Sequence, residues 1–262
     1  MPELPDVETV VRMLRRRIVG GRIGRIRVLD RSVVRSPVPA VFARRVQGRV
    51  IQAVHRRGKY LLIDLEGAST IVGHLRMTGD FAVVPRREPI RPHTRLVVGL
   101  DGTDLRFIDQ RRFGHVDLVA THALEAFPAL QRLGVEPLGP AFTQDRFRAI
   151  LRGRRGSLKG LLLRQDLIAG IGNLYADEIL FQARLRPARQ VDSLRPVEAR
   201  HLYHAMRNAL RRGVAALSRR RTAVGDLFEA RARGGACPRC RRPLTSATIA
   251  GRTTYFCPRC QR

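Results

Sequence analysis

The sequence predicts an α+β multidomain protein: an N-terminal helix with an antiparallel β-sandwich or barrel, then a helical half, then a small metal-bound β-hairpin. Three observations predict it. Apolar residues fall at helical spacing over 6–19, and then in about eight short strand-like runs up to residue 119. Beyond roughly residue 125 only helical spacing recurs. All four cysteines lie in the last 26 residues, as two Cys-x-x-Cys pairs. A chain of 262 residues with 44% apolar residues has enough material for such cores.

The first helix places Val7, Val10, Val11, Leu14 and Ile18 on one side and Arg12 and Arg15 to Arg17 on the other, with Pro5 in a first turn that tolerates proline. The strand-like runs are Ile23 to Leu29, Val50 to Val54, Tyr60 to Leu65, Thr70 to Leu75, Phe81 to Val84, Leu96 to Leu100, Leu105 to Ile108 and His115 to Val119. Turn pairs such as Glu66-Gly67 and Asp101-Gly102 separate them, and the pattern fits a sandwich and a barrel equally. Helical spacing then covers 143–152, 157–165, 174–184 and 196–217. Composition divides the chain into a sandwich domain over 1–125, a Pro- and Gly-bearing linker over 126–142, a helical domain over 143–235 and a finger over 236–262.

Charge is the strongest compositional signal. Lys and Arg total 50 against 22 Asp and Glu, a net charge of +28 with pI near 11.7. A polyanion such as nucleic acid is the partner that neutralises this charge, although arginine-rich codon usage contributes a share. A membrane surface fits less well, because no helix joins a basic face to a large apolar one. No apolar run approaches the roughly 20 residues that span a bilayer, and MPELPDVETVV has neither the basic nor the apolar region of a signal peptide. A cytoplasmic protein is expected. Only two of the 50 basic residues, Lys59 and Lys159, are lysines. Lysine can give up its proton and arginine cannot, so both are candidates for acid–base work, with chance survival as the alternative.

Cys237-Pro-Arg-Cys240 and Cys257-Pro-Arg-Cys260 enclose 16 residues. Two such pairs joined by a hairpin predict one structural Zn2+ on Cys237, Cys240, Cys257 and Cys260, since a reducing compartment disfavours two disulfides. Metal binding of this kind contributes of order 10–16 kcal/mol, which a 26-residue hairpin needs in order to fold.

The start carries its own chemistry. Met1 precedes a small residue, so its removal would leave Pro2 with a secondary α-amine, partly unprotonated near neutral pH. Such an amine can attack an aldehyde-level carbon and form an iminium, with Glu3 alongside to move a proton. Read alone, Pro2 and Pro5 fit better as residues that merely start the first helix. His74-Leu-Arg-Met-Thr-Gly79 and Asp109-Gln-Arg-Arg-Phe-Gly114 each end a strand-like run. Apolar wedges and arginines could fill the hole left by a base drawn out of a duplex, although each segment alone fits an ordinary turn with Met77 or Phe113 in the core. Ala169-Gly-Ile-Gly-Asn-Leu-Tyr175 is a glycine-rich turn into a helix, with Asn173 at the N-cap and N–H groups suited to a phosphate. With Leu158 to Leu163 before it, the region reads as helix–turn–helix, or as a plain helix connection.

These motifs in this order resemble the formamidopyrimidine-DNA glycosylase and endonuclease VIII family over nearly the whole chain. The resemblance rests on Pro2-Glu-Leu-Pro5, Arg57-Gly-Lys59-Tyr60-Leu, the His74 to Gly79 turn, Arg111-Arg112-Phe113-Gly114, Gly170-Ile-Gly-Asn173-Leu-Tyr175 and Arg252-Thr-Thr-Tyr-Phe-Cys257. Leu4 is similar to the formamidopyrimidine branch. The resemblance implies a β-sandwich, a helix–two-turn–helix domain and a zinc hairpin, with DNA bound between domains. It implies a monomeric, cytoplasmic, nucleoid-associated enzyme acting on double-stranded DNA with damaged bases or abasic sites. Pro2 would attack C1′, Glu3 would assist base loss, Lys59 would supply a proton in β-elimination and Arg252 would serve δ-elimination. Asn173 and Arg252 would grip the phosphates flanking the lesion, within the Gly170 to Tyr175 DNA-binding motif and the finger. His93, Arg112 and Arg155 match further backbone contacts. Met77, Arg111 and Phe113 match the trio that fills the vacated space, and Lys159 a lysine near the damaged base.

The chain departs from the family pattern at Asp6, where Glu is commoner, at Arg76, where Gly is usual, and at Gln110, where Pro is usual. The segment Thr222 to Cys237 is shorter than the family's, and the loop that closes over 8-oxoguanine is missing from it. Two rival functions follow: an endonuclease VIII-like enzyme preferring oxidised pyrimidines, and a damage-binding protein without turnover.

Overall fold

The computed structural model describes residues 1–219, 225–231 and 235–262. The chain forms two compact units: residues 1–2 with 6–131, and residues 3–5 with 132–262.

The first unit contains most of helix α1 (Leu4–Ile18). Val7, Val11, Leu14 and Ile18 recur every three or four residues and are at most 1% exposed. On the opposite side Arg12 pairs with Glu8 at 2.9 Å. The helix begins two residues earlier than its spacing predicts, with Pro5 in the first turn, where a missing N–H costs nothing.

Nine strands follow among the described residues of this unit: β1 (Ile26–Val28), β2 (Val34–Ser36), β3 (Ile51–Arg57), β4 (Tyr60–Leu65), β5 (Ser69–His74), β6 (Gly79–Pro85), β7 (Thr94–Gly99), β8 (Thr103–Asp109) and β9 (His115–Ala120). They form a β-sandwich of one sheet in the order β1-β7-β8-β6 and another in the order β2-β9-β5-β4-β3. Alternate residues such as Leu61, Ile63 and Leu65 turn inward and join α1 in one apolar cluster. The pairing is antiparallel except for β2 with β9, which is parallel. The three-residue β2 is too short to show alternation, as is helix α2 (Pro39–Val46), which contributes Phe42 and Val46 to the core; the sequence reading missed both.

The first unit ends on the short helix α3 (Pro128–Gln131), and the second holds α4 (Gln144–Leu151), α5 (Leu158–Leu163), α6 (Asn173–Gln182) and α7 (Pro196–Ser218). The single turn of α3 interrupts the expected linker because Leu130 finds burial. Thr143 and Ser157 cap α4 and α5 by accepting from Arg146 N–H and Gly160 N–H. Helix α6 is buried on all sides from Tyr175 to Phe181, Asp177 and Glu178 included. Gly213 of α7 faces the Tyr175 hydroxyl so closely that a Cβ there would overlap it. The α5–α6 pair with the doubly turned segment 164–172 between them is the helix–two-turn–helix.

The hairpin β10 (Thr245–Ile249) and β11 (Arg252–Phe256) pairs in register from Thr245↔Phe256 to Ile249↔Arg252. It belongs to the second unit: Phe181 of α6 packs with Leu227, Leu244, Cys237 and Cys257, and Gln261 donates to the Leu185 carbonyl.

Candidate functional site

In the first unit, Pro2 is half-buried just before α1. Lys59 sits with Gly58 in the two-residue turn between β3 and β4. Gly58 has φ 56°, as the first central position of a type II′ turn requires, and its carbonyl accepts from Arg56 at 2.9 Å. Lys59 is only 7% exposed.

Two turns at the ends of β5 and β8 carry the wedge candidates. Met77 is 39% exposed and Phe113 is 52% exposed, so neither is a core residue, which corrects the ordinary-turn reading of each segment. Large apolar side chains stay in solvent only at a cost, and here the turn geometry imposes it. The Arg111 guanidinium lies 4.9 Å over the Phe113 ring. Arg76 and Arg112, directly before Met77 and Phe113, hold left-handed backbones with φ of 54° and 59°. The usual glycine at position 76 thus has a physical reason, and this chain carries arginine there at the expense of strain.

Asp109, fully buried, joins these two turns. One of its oxygens accepts from the Thr78 hydroxyl at 2.5 Å and the Arg111 N–H at 3.1 Å; the other accepts from the Gly114 N–H at 2.7 Å. The sequence reading passed over Asp109, because a carboxylate at a strand end gives no sign of which amides it will meet. His74 begins the first turn and accepts from the Arg76 N–H at 2.9 Å. Its ring stacks 5.8 Å from His115, and burial pushes it down to about 3, so it is neutral at physiological pH; burial also lowers His115. Exposed Arg112 pairs with Asp30 at 3.2 Å, and His93 is exposed with φ 66°.

In the second unit the Glu3 carboxylate meets the start of α6. It accepts from the N–H groups of Gly172 at 2.7 Å, Leu174 at 2.8 Å and Tyr175 at 3.2 Å. This corrects two expectations. Gly172, not Asn173, is the N-cap of α6, and these backbone donors are taken by Glu3 rather than left for a phosphate. An acidic side chain brought from far away in sequence replaces the local cap, since it also complements the positive end of the helix. The Leu4 N–H donates to the Gly170 carbonyl at 2.9 Å, and Gly170, at φ 92°, leaves room for Leu4 that a Cβ would take. Gln165 braces this turn, accepting from Gly170 N–H and donating to Ile171 O.

Asn173 is half-buried and donates through Nδ2 to the Thr253 carbonyl at 3.0 Å; Tyr175 is buried. Arg155 is exposed between Gly153 and Gly156 and lines an open hollow of about 450 Å³ with Arg154 and Arg164. Arg252 is exposed and directly follows the Ala250-Gly251 turn of the hairpin. Lys159 is fully buried, paired with Asp177 at 2.6 Å, and burial lowers its affinity for a proton.

The four cysteine sulfurs lie within 4.8 Å of one another, with Cys237–Cys260 at 3.9 Å and Cys240–Cys257 at 3.5 Å. Four sulfurs about 2.3 Å from a tetrahedral zinc stand about 3.8 Å apart, so this donor set fits the metal.

Residues 1–116 match the formamidopyrimidine-DNA glycosylase N-terminal domain, 133–222 the H2TH domain of the same glycosylase, and 234–262 the zinc finger found in FPG and IleRS. The formamidopyrimidine-DNA glycosylase of Pelotomaculum thermopropionicum is 39% identical over 277 aligned residues, covering 100% of this chain and 99% of that one. That of Thermus thermophilus is 42% identical, covering 100% and 98%. Among solved structures, Lactococcus lactis Fpg bound to DNA containing N7-benzyl-Fapy-dG superposes with a TM-score of 0.91 at 30% identity, covering 100% of both chains. The same protein bound to abasic-site DNA gives 0.90 at 30% identity, covering 99% of both.

Proposed function

The chain belongs to the formamidopyrimidine-DNA glycosylase family, and from that premise we propose how its residues excise a damaged base and cut the strand. The enzyme is a DNA glycosylase of base excision repair with abasic-site lyase activity, and its substrate is damaged duplex DNA. After loss of Met1, the Pro2 amine attacks C1′ of the damaged nucleoside and the bond to the base breaks. Glu3 moves the proton that ring opening requires. The resulting iminium draws electrons from the sugar, Lys59 exchanges a proton during β-elimination, and Arg252 promotes δ-elimination. Asn173, Arg252, His93, Arg112 and Arg155 hold the backbone, and the Gly170 to Tyr175 turn, through Tyr175, supports that hold. Met77, Arg111 and Phe113 occupy the vacated stack, and Lys159 lies near the damaged base. The zinc ion on Cys237, Cys240, Cys257 and Cys260 serves structure alone, keeping the hairpin folded so that Arg252 is presented.

One observation carries this reading: the Glu3 carboxylate is held by three N–H groups of the Gly170 to Tyr175 turn. That bond set fastens the residue beside Pro2 to the motif that includes Asn173, although some 170 positions separate them. We place the enzyme in the cytoplasm at nucleoid DNA, acting as a monomer. No helix among the described residues is long and apolar enough to cross a membrane.

The short Thr222 to Cys237 segment sets the lesion range; residues 220–224 and 232–234 lie outside the described residues. A cover over an extruded base adds hydrogen bonds and excludes water, and 8-oxoguanine, which differs from guanine by few atoms, depends on it most. Ring-opened formamidopyrimidines stack poorly and need it less. Single-turnover rates on matched duplexes test this, with a low ratio of 8-oxoguanine to formamidopyrimidine excision expected. A strong 8-oxoguanine preference contradicts it, and a preference for oxidised pyrimidines favours the endonuclease VIII-like rival.

A further inference from the structure

The three residues that follow Arg252 are each held by charged groups from elsewhere in the second unit. The Thr253 carbonyl receives three donors: Asn173 Nδ2 at 3.0 Å, Lys159 Nζ at 3.4 Å and Arg231 Nη2 at 3.4 Å. Thr254 is fully buried; its hydroxyl accepts from Lys159 Nζ at 2.6 Å and donates to the carbonyl of Arg252 itself at 3.0 Å. The Tyr255 N–H donates to Asp177 Oδ2 at 3.2 Å, and the Arg231 guanidinium lies 5.4 Å over the Tyr255 ring.

Asp177 is the centre of this set. It is fully buried on α6, with Lys159 Nζ 2.6 Å from one oxygen and Arg231 Nε 2.9 Å from the other. Neither Lys159 nor Asp177 could be left alone in such a place, since a buried unpaired charge is strongly unfavourable. The pair therefore fixes the distance between α5 and α6, and its remaining hydrogen-bonding capacity is spent on the strand behind Arg252. Arg231 enters from the segment between α7 and the finger and closes the set from the side, with 17% of its side chain exposed.

We propose that Lys159, Asp177 and Arg231 form a positioning unit for Arg252, with Arg231 as its adjustable member and Lys159 acting through the hairpin. Lys159 supplies the ammonium that Thr254 relays to the Arg252 backbone, and Arg231 secures Thr253 and Tyr255. The consequence is a functional link between the segment preceding the finger and the late elimination step. This inference rests on the assignment of Arg252 to phosphate grip and δ-elimination.

The test uses the zinc-loaded full chain carrying Arg231→Ala, Arg231→Lys, Arg252→Ala or both alanine changes. Four readouts are taken: affinity for a duplex with a tetrahydrofuran abasic analogue, the δ-to-β product ratio on an abasic duplex, zinc content, and amide exchange at Thr253 to Tyr255. Arg231→Ala is expected to keep its zinc and its borohydride-trapped adduct while the δ-to-β ratio falls roughly tenfold, as loss of alignment alone predicts. Exchange at Tyr255 should accelerate, and Arg231→Lys should recover part of each effect because it keeps the charge but not the fork. Adding Arg231→Ala to Arg252→Ala should weaken binding no further, the signature of one residue acting through the other. Additive losses, or unchanged exchange and product ratio in Arg231→Ala, overturn the proposal. If Arg252→Ala itself changes neither binding nor products, the role of Arg252 fails instead, and the exchange data still decide whether the unit holds the strand. Asp177→Asn is a harsher variant that leaves Lys159 unpaired; should it not fold, the Arg231 series carries the test.

Discussion

Lys59 is one of two lysines in a chain that otherwise takes its positive charge from arginine, and it lies 93% buried in a turn whose shape Gly58 allows. Arginine there would keep the charge but has no accessible neutral form, so it could not exchange a proton during elimination. Lys59→Arg is expected to bind an abasic duplex nearly as well as the parent while strand nicking falls by about 100-fold or more, the range that proton transfer contributes. Wild-type nicking would reduce Lys59 to a phosphate contact. His74 makes a different prediction. Its folded form resists protonation down to about pH 3, whereas the unfolded chain takes up that proton near 6.5. The contribution is fully present above pH 6.5 and is lost as pH falls toward 3, at about 1.4 kcal/mol per pH unit for one group. His74→Phe should therefore flatten the acid limb of a urea-unfolding series; an unchanged limb would show that another group sets it. Among single residues, those with distinctive chemistry were legible: the cysteines by spacing, Pro2 by its amine, the lysines by rarity. Asp109, Asp177 and Glu178 were not, because a carboxylate declares itself only through the amides it meets after folding. Glu178, for one, accepts from Asp226 and Leu227 N–H groups beyond the end of α7.

At the scale of elements, the zinc hairpin depends on its metal more than on its own core. Its strands are mostly exposed, and the apolar cluster it shares with Phe181 is small. Cys240→Ser should release zinc, disorder β10 and β11 and abolish incision, because Arg252 at the start of β11 would no longer be presented. Metal analysis together with incision assays checks this, and full activity without zinc would show that the hairpin is dispensable. The four main helices of the second unit lie close to their predicted spans, since each has an apolar stripe and a clear start such as Thr143 or Ser157. The long strands were legible for the same reason. Elements of three to eight residues, β2 and α2, were lost because two or three apolar positions do not establish a period. The start of α6 was misread by one residue because its cap comes from Glu3, at the other end of the sequence, and no local pattern reports that. The wedge turns were legible as motifs, but their exposure was not. It follows from Asp109 tying Thr78, Arg111 and Gly114 together, which leaves Met77 and Phe113 no route inward.

For the whole molecule, the +28 charge and the arginines assigned to the DNA backbone require binding that weakens steeply with salt. With one phosphate neutralised by each of Arg112, Arg155 and Arg252, as proposed, the expected slope is about −2.7 or steeper in log K against log salt, at about −0.9 each. A flat response would contradict a backbone-tracking surface. The order of motifs made the family legible from sequence, and the comparisons bear that out, whereas the lesion range turns on a short segment that no motif describes. The central claim is that the chain cuts DNA through the amine of Pro2, and the most direct measurement is borohydride trapping on a duplex containing an abasic site, followed by peptide mapping of the adduct. The reduced iminium is a stable bond, so the account predicts one DNA adduct per chain, located on the N-terminal peptide that begins at Pro2. An adduct mapped to Lys59 or Lys159, or no adduct with a protein that still binds the damaged duplex, would contradict it.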